Sequence, residues 1–143
     1  MTSEWNIETL SYAAGFLDGD GCFFTHKKGN SFKIAVSCSN ADKKIVKWFQ
    51  NKFGGSISKG KRKRKENHRQ IWQWTIVSND AYKFCRHVVP FLKIKDKQAC
   101  LLISIQQTSG MRKGKFVDPE IVKERERLNE ILKQLKKEKY EED

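Results

Sequence analysis

Histidines, paired cysteines and long apolar runs are all scarce in this chain of 143 residues. The three histidines and the four cysteines (Cys22, Cys38, Cys85 and Cys100) include no CxxC pair and no histidine at ligand spacing, so zinc is not expected. Apolar runs such as Cys100–Ile103 fall far below the roughly 20 residues that span a bilayer, and no signal peptide opens the sequence. We therefore expect core thiols in an intracellular, reducing compartment (cytoplasm, nucleoid or organelle matrix) and no secretion.

Acidic residues are outnumbered in most of the chain, whose length fits one domain with a single core. Lys and Arg total 29 against 17 Asp and Glu, a net charge of +12 at pH 7. Residues 1–117 hold 22 basic and 8 acidic side chains, whereas residues 118–143 hold 7 and 9. The positive charge therefore lies in the body of the protein and indicates a polyanion, above all nucleic acid, as its partner.

The stretch Leu10–Phe24 combines a helix with an acidic turn. Apolar residues at helical spacing fill its first half, and Asp18-Gly19-Asp20-Gly21 follows. Each carboxylate at the C-terminal end of a helix costs about 0.3–1 kcal/mol, because that end is the negative pole of the helix dipole. A divalent cation with oxygen ligands would offset this cost. An ordinary buried helix closed by glycine, with Asp as a turn residue, fits the same pattern about equally well.

Two hairpins are predicted from alternating apolar and polar residues. The first joins Cys22–Lys28 to Ser31–Ser39 through a turn at Gly29-Asn30, and the second joins Ser56–Lys59 to Arg69–Val77. In the second and fourth strands, apolar residues alternate with polar, small or basic ones. One face of the sheet is therefore expected to be buried and the other polar.

Helices are predicted around these hairpins. One runs through Leu10–Leu17 before the acidic turn, others cover about residues 42–53, 78–89 and 96–107, and the Asp118-Pro119 start signal opens a last helix to about residue 140. The run from Lys59 to Lys65 contains six basic residues, which form a solvated loop alone and a set of phosphate contacts beside a polyanion. The expected class is α+β, an antiparallel sheet covered by helices on one face.

Two segments resemble those of a known family. AAGFLDGDG at Ala13–Gly21 resembles the signature of the LAGLIDADG homing endonucleases, with Ala13 in place of the first leucine. PFLKIKDKQA at Pro90–Ala99 is similar to the basic segment before the fourth helix in single-motif members. The resemblance implies an αββαββα half-domain with a saddle-shaped antiparallel sheet and extra C-terminal helices. The endonuclease domain would cover residues 1–117, and the helix at 118–143 would pack on or flank it.

The resemblance also implies an activity. It implies an intron-encoded enzyme that acts in intron homing. Such an enzyme would make double-strand breaks with short 3′ overhangs at a long, pseudo-palindromic DNA site, and the reaction would be metal-dependent phosphodiester hydrolysis. Mg²⁺ is the implied cofactor, and Mn²⁺ is expected to substitute for it. The metal-binding motif acid corresponds to Asp20, together with the backbone of Gly19. The implied catalytic set adds Lys95 near the scissile phosphate, Asn40 for the water network and Lys44.

One motif supplies half a site, so the resemblance implies a homodimer with the motif helices at the two-fold axis. The expected interface residues are Ala13, Ala14, Gly15 and Leu17. The uncovered sheet face would lie in the DNA major groove, whereas the basic run would meet phosphates. The expected DNA contacts are His26, Lys28, Lys33, Ser37, Lys59, Lys61, Arg62, Lys63, Arg64, Lys65, Arg69, Gln73, Thr75, Lys93 and Lys97. No membrane and no small-molecule substrate is expected.

Two other functions fit part of the pattern. A non-catalytic protein of the same fold, such as an intron maturase or a DNA-binding regulator, would tend to lose the last motif acid, but Asp20 is present. If the resemblance were accidental, a basic RNA-binding α+β domain would be the next choice. Cleavage that depends on a divalent ion separates the three functions.

Overall fold

The computed structural model describes residues 5–29, 31–60, 69–108 and 118–141. Its elements are α1 (Ile7–Asp20), β1 (Gly21–Lys28), β2 (Ser31–Asn40), α2 (Lys43–Phe53), β3 (Ser56–Lys59), β4 (Trp72–Val77), α3 (Ser78–Val88), a 3-10 turn (Val89–Phe91), α4 (Asp96–Gln107) and α5 (Pro119–Glu141). Within these ranges, no helix combines the length and apolar character needed to cross a membrane.

The four strands form one antiparallel sheet in the order β1-β2-β4-β3. Val36 pairs with Phe23 on one side and with Ile76 on the other, and all three side chains are buried against the helices. The neighbouring pair Ser37 and Thr75 points to the opposite face, because side chains alternate along a strand. The predicted α+β class and the predicted alternation are therefore confirmed.

An aromatic cluster fills the space between the sheet and the helices. Trp74 on β4 is fully buried, and its ring centroid lies 4.8 Å from that of Phe49 on α2 and 5.8 Å from that of Phe84 on α3. The indole N–H donates to the carbonyl of Gly54 at 2.7 Å. A buried indole whose N–H is paired stabilises this packing without an unsatisfied polar group. Trp74 is thus part of the core and not a stacking platform for bases.

The fourth strand is shorter than the sequence predicts. It begins at Trp72 and not at Arg69. Just before it, the side-chain amide of Gln70 donates to the carbonyl of Ile71 at 2.9 Å, and the N–H of Gly60 donates to the same carbonyl at 2.6 Å. The Ile71 carbonyl thus accepts both hydrogen bonds, and the hydrogen-bond ladder of the second hairpin ends at this residue, directly before β4. Arg69 therefore lies outside the strand.

One carboxylate ties the end of α1 to the segment before α4. Asp18 is buried, and its two oxygens accept hydrogen bonds from the backbone N–H groups of Lys93 (2.8 Å), Ile94 (3.1 Å) and Lys95 (3.0 Å). A buried carboxylate is tolerated only when it is paired in this way. Backbone donors therefore offset the unfavourable position of Asp18 at the negative pole of α1.

Asp18→Asn should lower the free energy of unfolding by about 2–3 kcal/mol, because the new amide nitrogen cannot accept a hydrogen bond and faces buried N–H donors. Asp20→Asn is the matched control: it makes the same chemical change two residues away on an exposed side chain, and should cost less than about 0.5 kcal/mol. Urea unfolding measures both. Equal losses in the two variants would contradict the anchoring role of Asp18.

Candidate functional site

The carboxylate of Asp20 is exposed at the last position of α1. Gly19 before it is exposed as well, and no atom lies within 4 Å of the position that a Cβ would take there. Gly21 after it opens β1, and a Cβ at this residue would overlap Leu17, so glycine is required where the helix turns into the strand. Burial and, secondly, the negative charge of nearby Asp20 raise the pKa of the Cys38 thiol to about 12.

Lys95 reaches the same end of α1 from the other side. Its side chain is 7% exposed, and its ammonium donates to the carbonyl oxygens of Leu17 at 3.0 Å and Gly21 at 2.5 Å. The Leu17 carbonyl belongs to the negative pole of α1 and Gly21 follows directly, so the positive charge is favourably placed. The structure therefore brings Lys95 and Asp20 to one helix end, with the ammonium directed at the backbone.

The two other expected catalytic side chains lie where β2 leads into α2. The amide oxygen of Asn40 accepts the N–H of Asp42 at 2.8 Å, and the Asp42 carboxylate accepts the N–H of Lys44 at 2.9 Å as the N-cap of α2. Lys44 is exposed and lines a surface hollow with Tyr12. Tyr12 stands eight residues before Asp20 on α1, which is roughly 12 Å along the helix axis. Lys44 thus lies beside the part of α1 around Tyr12, away from the helix end that carries Asp20.

The sheet face opposite the helices, hereafter the outer face, carries most of the strand residues expected to bind DNA. His26 pairs with Lys33 across β1 and β2, and both are exposed. Ser37 pairs with Thr75, but its side chain is only 6% exposed because it sits in the middle of the sheet. The amide of Gln73 donates to the Thr75 hydroxyl at 3.3 Å. Cations, donors and acceptors on one face are the groups that read base edges.

The remaining residues that are expected to contact DNA lie in several different places. Lys28 is in register with Ser31 at the end of the first hairpin. Arg69 is exposed but outside β4, so strand alternation does not fix its direction. Lys59 pairs with Trp72 on the helix side of the sheet, and its ammonium lies 5.9 Å from the Trp72 ring centre. Lys93 and Lys97 are exposed on either side of Lys95, whereas Lys61, Arg62, Lys63, Arg64 and Lys65 lie outside the described residues.

Three of the four residues expected at the dimer interface are buried within their own chain. Ala13, Ala14 and Leu17 are 0% exposed within the core of their own chain, because their helical spacing marks the side of α1 that packs on the sheet and α3. Gly15 is exposed on the other side, with open space where a Cβ would stand. That exposed side of α1 consists of Ile7, Glu8, Ser11, Tyr12, Gly15 and Gly19.

The candidate metal ligands at this end of α1 are the Asp20 carboxylate and the backbone carbonyls beside it. The described residues of the chain contain no group of three or more His, Cys, Asp or Glu side chains that could hold a metal ion. Asp20 and the adjacent backbone carbonyls are ligands of the type that Mg²⁺ prefers, but that ion needs near-octahedral coordination. Asp20 and these carbonyls supply part of such a coordination shell.

Sequence comparisons relate this chain to known endonucleases. The model of the family described as LAGLIDADG endonuclease matches residues 13–98. DNA endonuclease I-CreI from Chlamydomonas reinhardtii is 31% identical over 110 residues, which cover 73% of this chain and 66% of that protein. The chain thus aligns with slightly less than two thirds of this relative.

Solved structures share the fold. The homing endonuclease I-CvuI in complex with its target matches with a TM-score of 0.70 at 20% identity, over 88% of this chain and 80% of that chain. The archaeal intron-encoded homing endonuclease I-Vdi141I, complexed with DNA, matches with a TM-score of 0.71 at 14% identity, over 88% and 82%. I-GzeII, in complex with a DNA target, matches with a TM-score of 0.65 at 18% identity, over 84% of this chain but only 43% of its own. Because the family model covers more than half of the sequence, the chain belongs to the LAGLIDADG endonuclease family.

Proposed function

We propose that the protein is a site-specific homing endonuclease that cuts both strands of DNA as a homodimer and depends on Mg²⁺. The observation that carries the proposal is the exposed carboxylate of Asp20, the last acid of the family motif, at the end of α1. The net charge of +12 and the polar outer face support DNA as the substrate. A two-fold symmetric enzyme implies a pseudo-palindromic target, and the family resemblance implies short 3′ overhangs and tolerance of Mn²⁺.

The exposed side of α1 supports the dimer. Gly15 and Gly19 leave this surface flat, so a second helix can approach closely. Three large apolar side chains are exposed around it: Ile7 (69%), Tyr12 (54%) and Ile94 (58%). Ile94 lies in the segment whose backbone N–H groups bind Asp18 near the end of α1. Exposed apolar clusters of this kind mark interaction surfaces, and I-GzeII is about twice as long as the part that this chain matches.

Two Asp20 carboxylates, brought together by the dimer with the Gly19 carbonyls, fit a Mg²⁺ site. The ion bound there would polarise the scissile phosphate and lower the pKa of an attacking water. Lys95 is a positioning residue in this proposal: its buried ammonium binds the Leu17 and Gly21 carbonyls and so holds the segment that carries Asp20. Asn40 shapes the turn into α2 through its bond to Asp42, and Lys44 offers an exposed cation near the dimer surface.

Asp20→Asn should lower the cleavage rate by roughly 10²–10³-fold or more, because a ligand of the charge-stabilising ion is lost. DNA affinity should change by less than about threefold, because the outer face is untouched. The assay is plasmid cleavage in Mg²⁺ at a site selected from a randomised library, with an EDTA control. Asp80→Asn makes the same change on an exposed residue of α3 and should leave cleavage unchanged. Near wild-type cleavage by Asp20→Asn would refute the assignment.

Gly15→Leu should convert the dimer into monomers and abolish cleavage without unfolding the chain, since space is open at this position within one chain. Sedimentation should show twice the 16.7 kDa chain mass for the wild type at micromolar concentration. Lys123→Leu, at an exposed position of α5, is the control and should remain dimeric. Ala14→Leu should instead destabilise the fold by about 1–3 kcal/mol, because Ala14 is a core residue. A wild-type monomer that cuts DNA would contradict the dimer.

A further inference from the structure

The C-terminal helix α5 lies along β1, the edge strand of the sheet. Three side-chain contacts join the two elements in antiparallel order: Lys27 to Glu126 at 3.3 Å, the Thr25 hydroxyl to the Asn129 side-chain oxygen, and the Lys136 ammonium to the Cys22 sulfur at 3.9 Å. The helix therefore passes from the turn of the first hairpin toward the junction of α1 and β1.

The position of α5 is fixed by packing. Leu128 and Leu132 belong to the hydrophobic core. Arg125 is only 3% exposed, and its Nε donates to the Thr108 hydroxyl at the end of α4 at 2.7 Å. A helix held by buried leucines and a buried hydrogen bond presents its other side chains at defined places.

Lys136 is thereby presented at the end of the outer face that adjoins Asp20. Cys22 is exposed and pairs with Ser37, so its sulfur lies on the outer face. It follows Asp20 by two residues, which span at most about 7 Å. A cysteine sulfur is a weak acceptor, so Cys22 is a poor partner for an ammonium. The charge of Lys136 remains available for a stronger anion that approaches the outer face.

We propose that Lys136 binds a DNA phosphate close to the cleavage position, so that α5 extends the DNA-binding surface beyond the sheet. The inference rests on the proposed function and deepens it. Lys136 lies outside residues 13–98 that match the family model. It also lies in the segment 118–143, which holds 7 basic and 9 acidic residues and whose overall charge gives no sign of a DNA contact.

Lys136→Gln tests the proposal by binding measurements on the wild-type dimer and the variant at several salt concentrations. The slope of log K against log salt should fall by about one unit per protomer, and affinity should fall by a similar factor for all single-base variants of the site. Lys136→Arg should restore the slope. Lys123→Gln removes the same charge from α5 about 20 Å away along the helix axis, on nearly the opposite side, and should leave the slope unchanged.

Maleimide labelling of Cys22 gives a second readout, because DNA that binds Lys136 must cover the adjacent sulfur. Cys22 and Cys100 are exposed, whereas burial raises the pKa of the Cys38 and Cys85 thiols to about 12 and keeps them unreactive near pH 8. DNA should protect Cys22 and leave Cys100 reactive.

Three outcomes separate the proposals. An unchanged salt slope in Lys136→Gln, with Cys22 still reactive in the DNA complex, would overturn the role of Lys136 while leaving the proposed function intact. A variant that loses thermal stability but keeps the wild-type slope would make Lys136 a structural brace and overturn it too. If the wild type neither binds nor cuts DNA, the proposed function itself fails.

Discussion

Reciprocal hydrogen bonds between the end of α1 and the segment before α4 hold the candidate site together. The Asp18 carboxylate accepts three backbone N–H groups of that segment, and the Lys95 ammonium from the same segment donates to two carbonyls around the end of α1. Each buried charge is thus satisfied by backbone dipoles. Removing either side chain would leave buried polar groups without partners, which is costly. Asp20 is held in a fixed position because it lies between Asp18 and Gly21, which both take part in these hydrogen bonds.

The two sides of α1 have separate tasks. One side, with Ala13, Ala14 and Leu17, packs into the core and fixes the helix on the sheet. The other side, flat at Gly15 and Gly19, faces solvent in one chain and forms the contact in the proposed dimer. A single helix therefore sets both the position of Asp20 relative to the outer face and its distance from a second copy.

Local signals in the sequence were sufficient for most of the fold. Asp42 and Asp118 are followed by the helices that they cap, and alternation assigned Val36, Trp74 and Ile76 to the buried face, because both signals act over a few residues. Spacing identifies the apolar side of α1 that holds Ala13, Ala14 and Leu17, but spacing alone does not say whether such a side meets the same chain or another. The burial of Lys95 and the anchoring by Asp18 depend on contacts 75 to 78 residues apart in the chain, which no local pattern contains.

In the proposed dimer, the Asp20 carboxylates of both chains form one shared active site. A mixed dimer tests this sharing most directly. Wild-type and Asp20→Asn chains with different affinity tags can be co-expressed, and the dimer that holds one of each can be purified through both tags. On supercoiled plasmid in Mg²⁺, we expect this mixed dimer to bind the target with wild-type affinity and to form no linear product. Linear product at half the wild-type rate or faster would contradict a shared site.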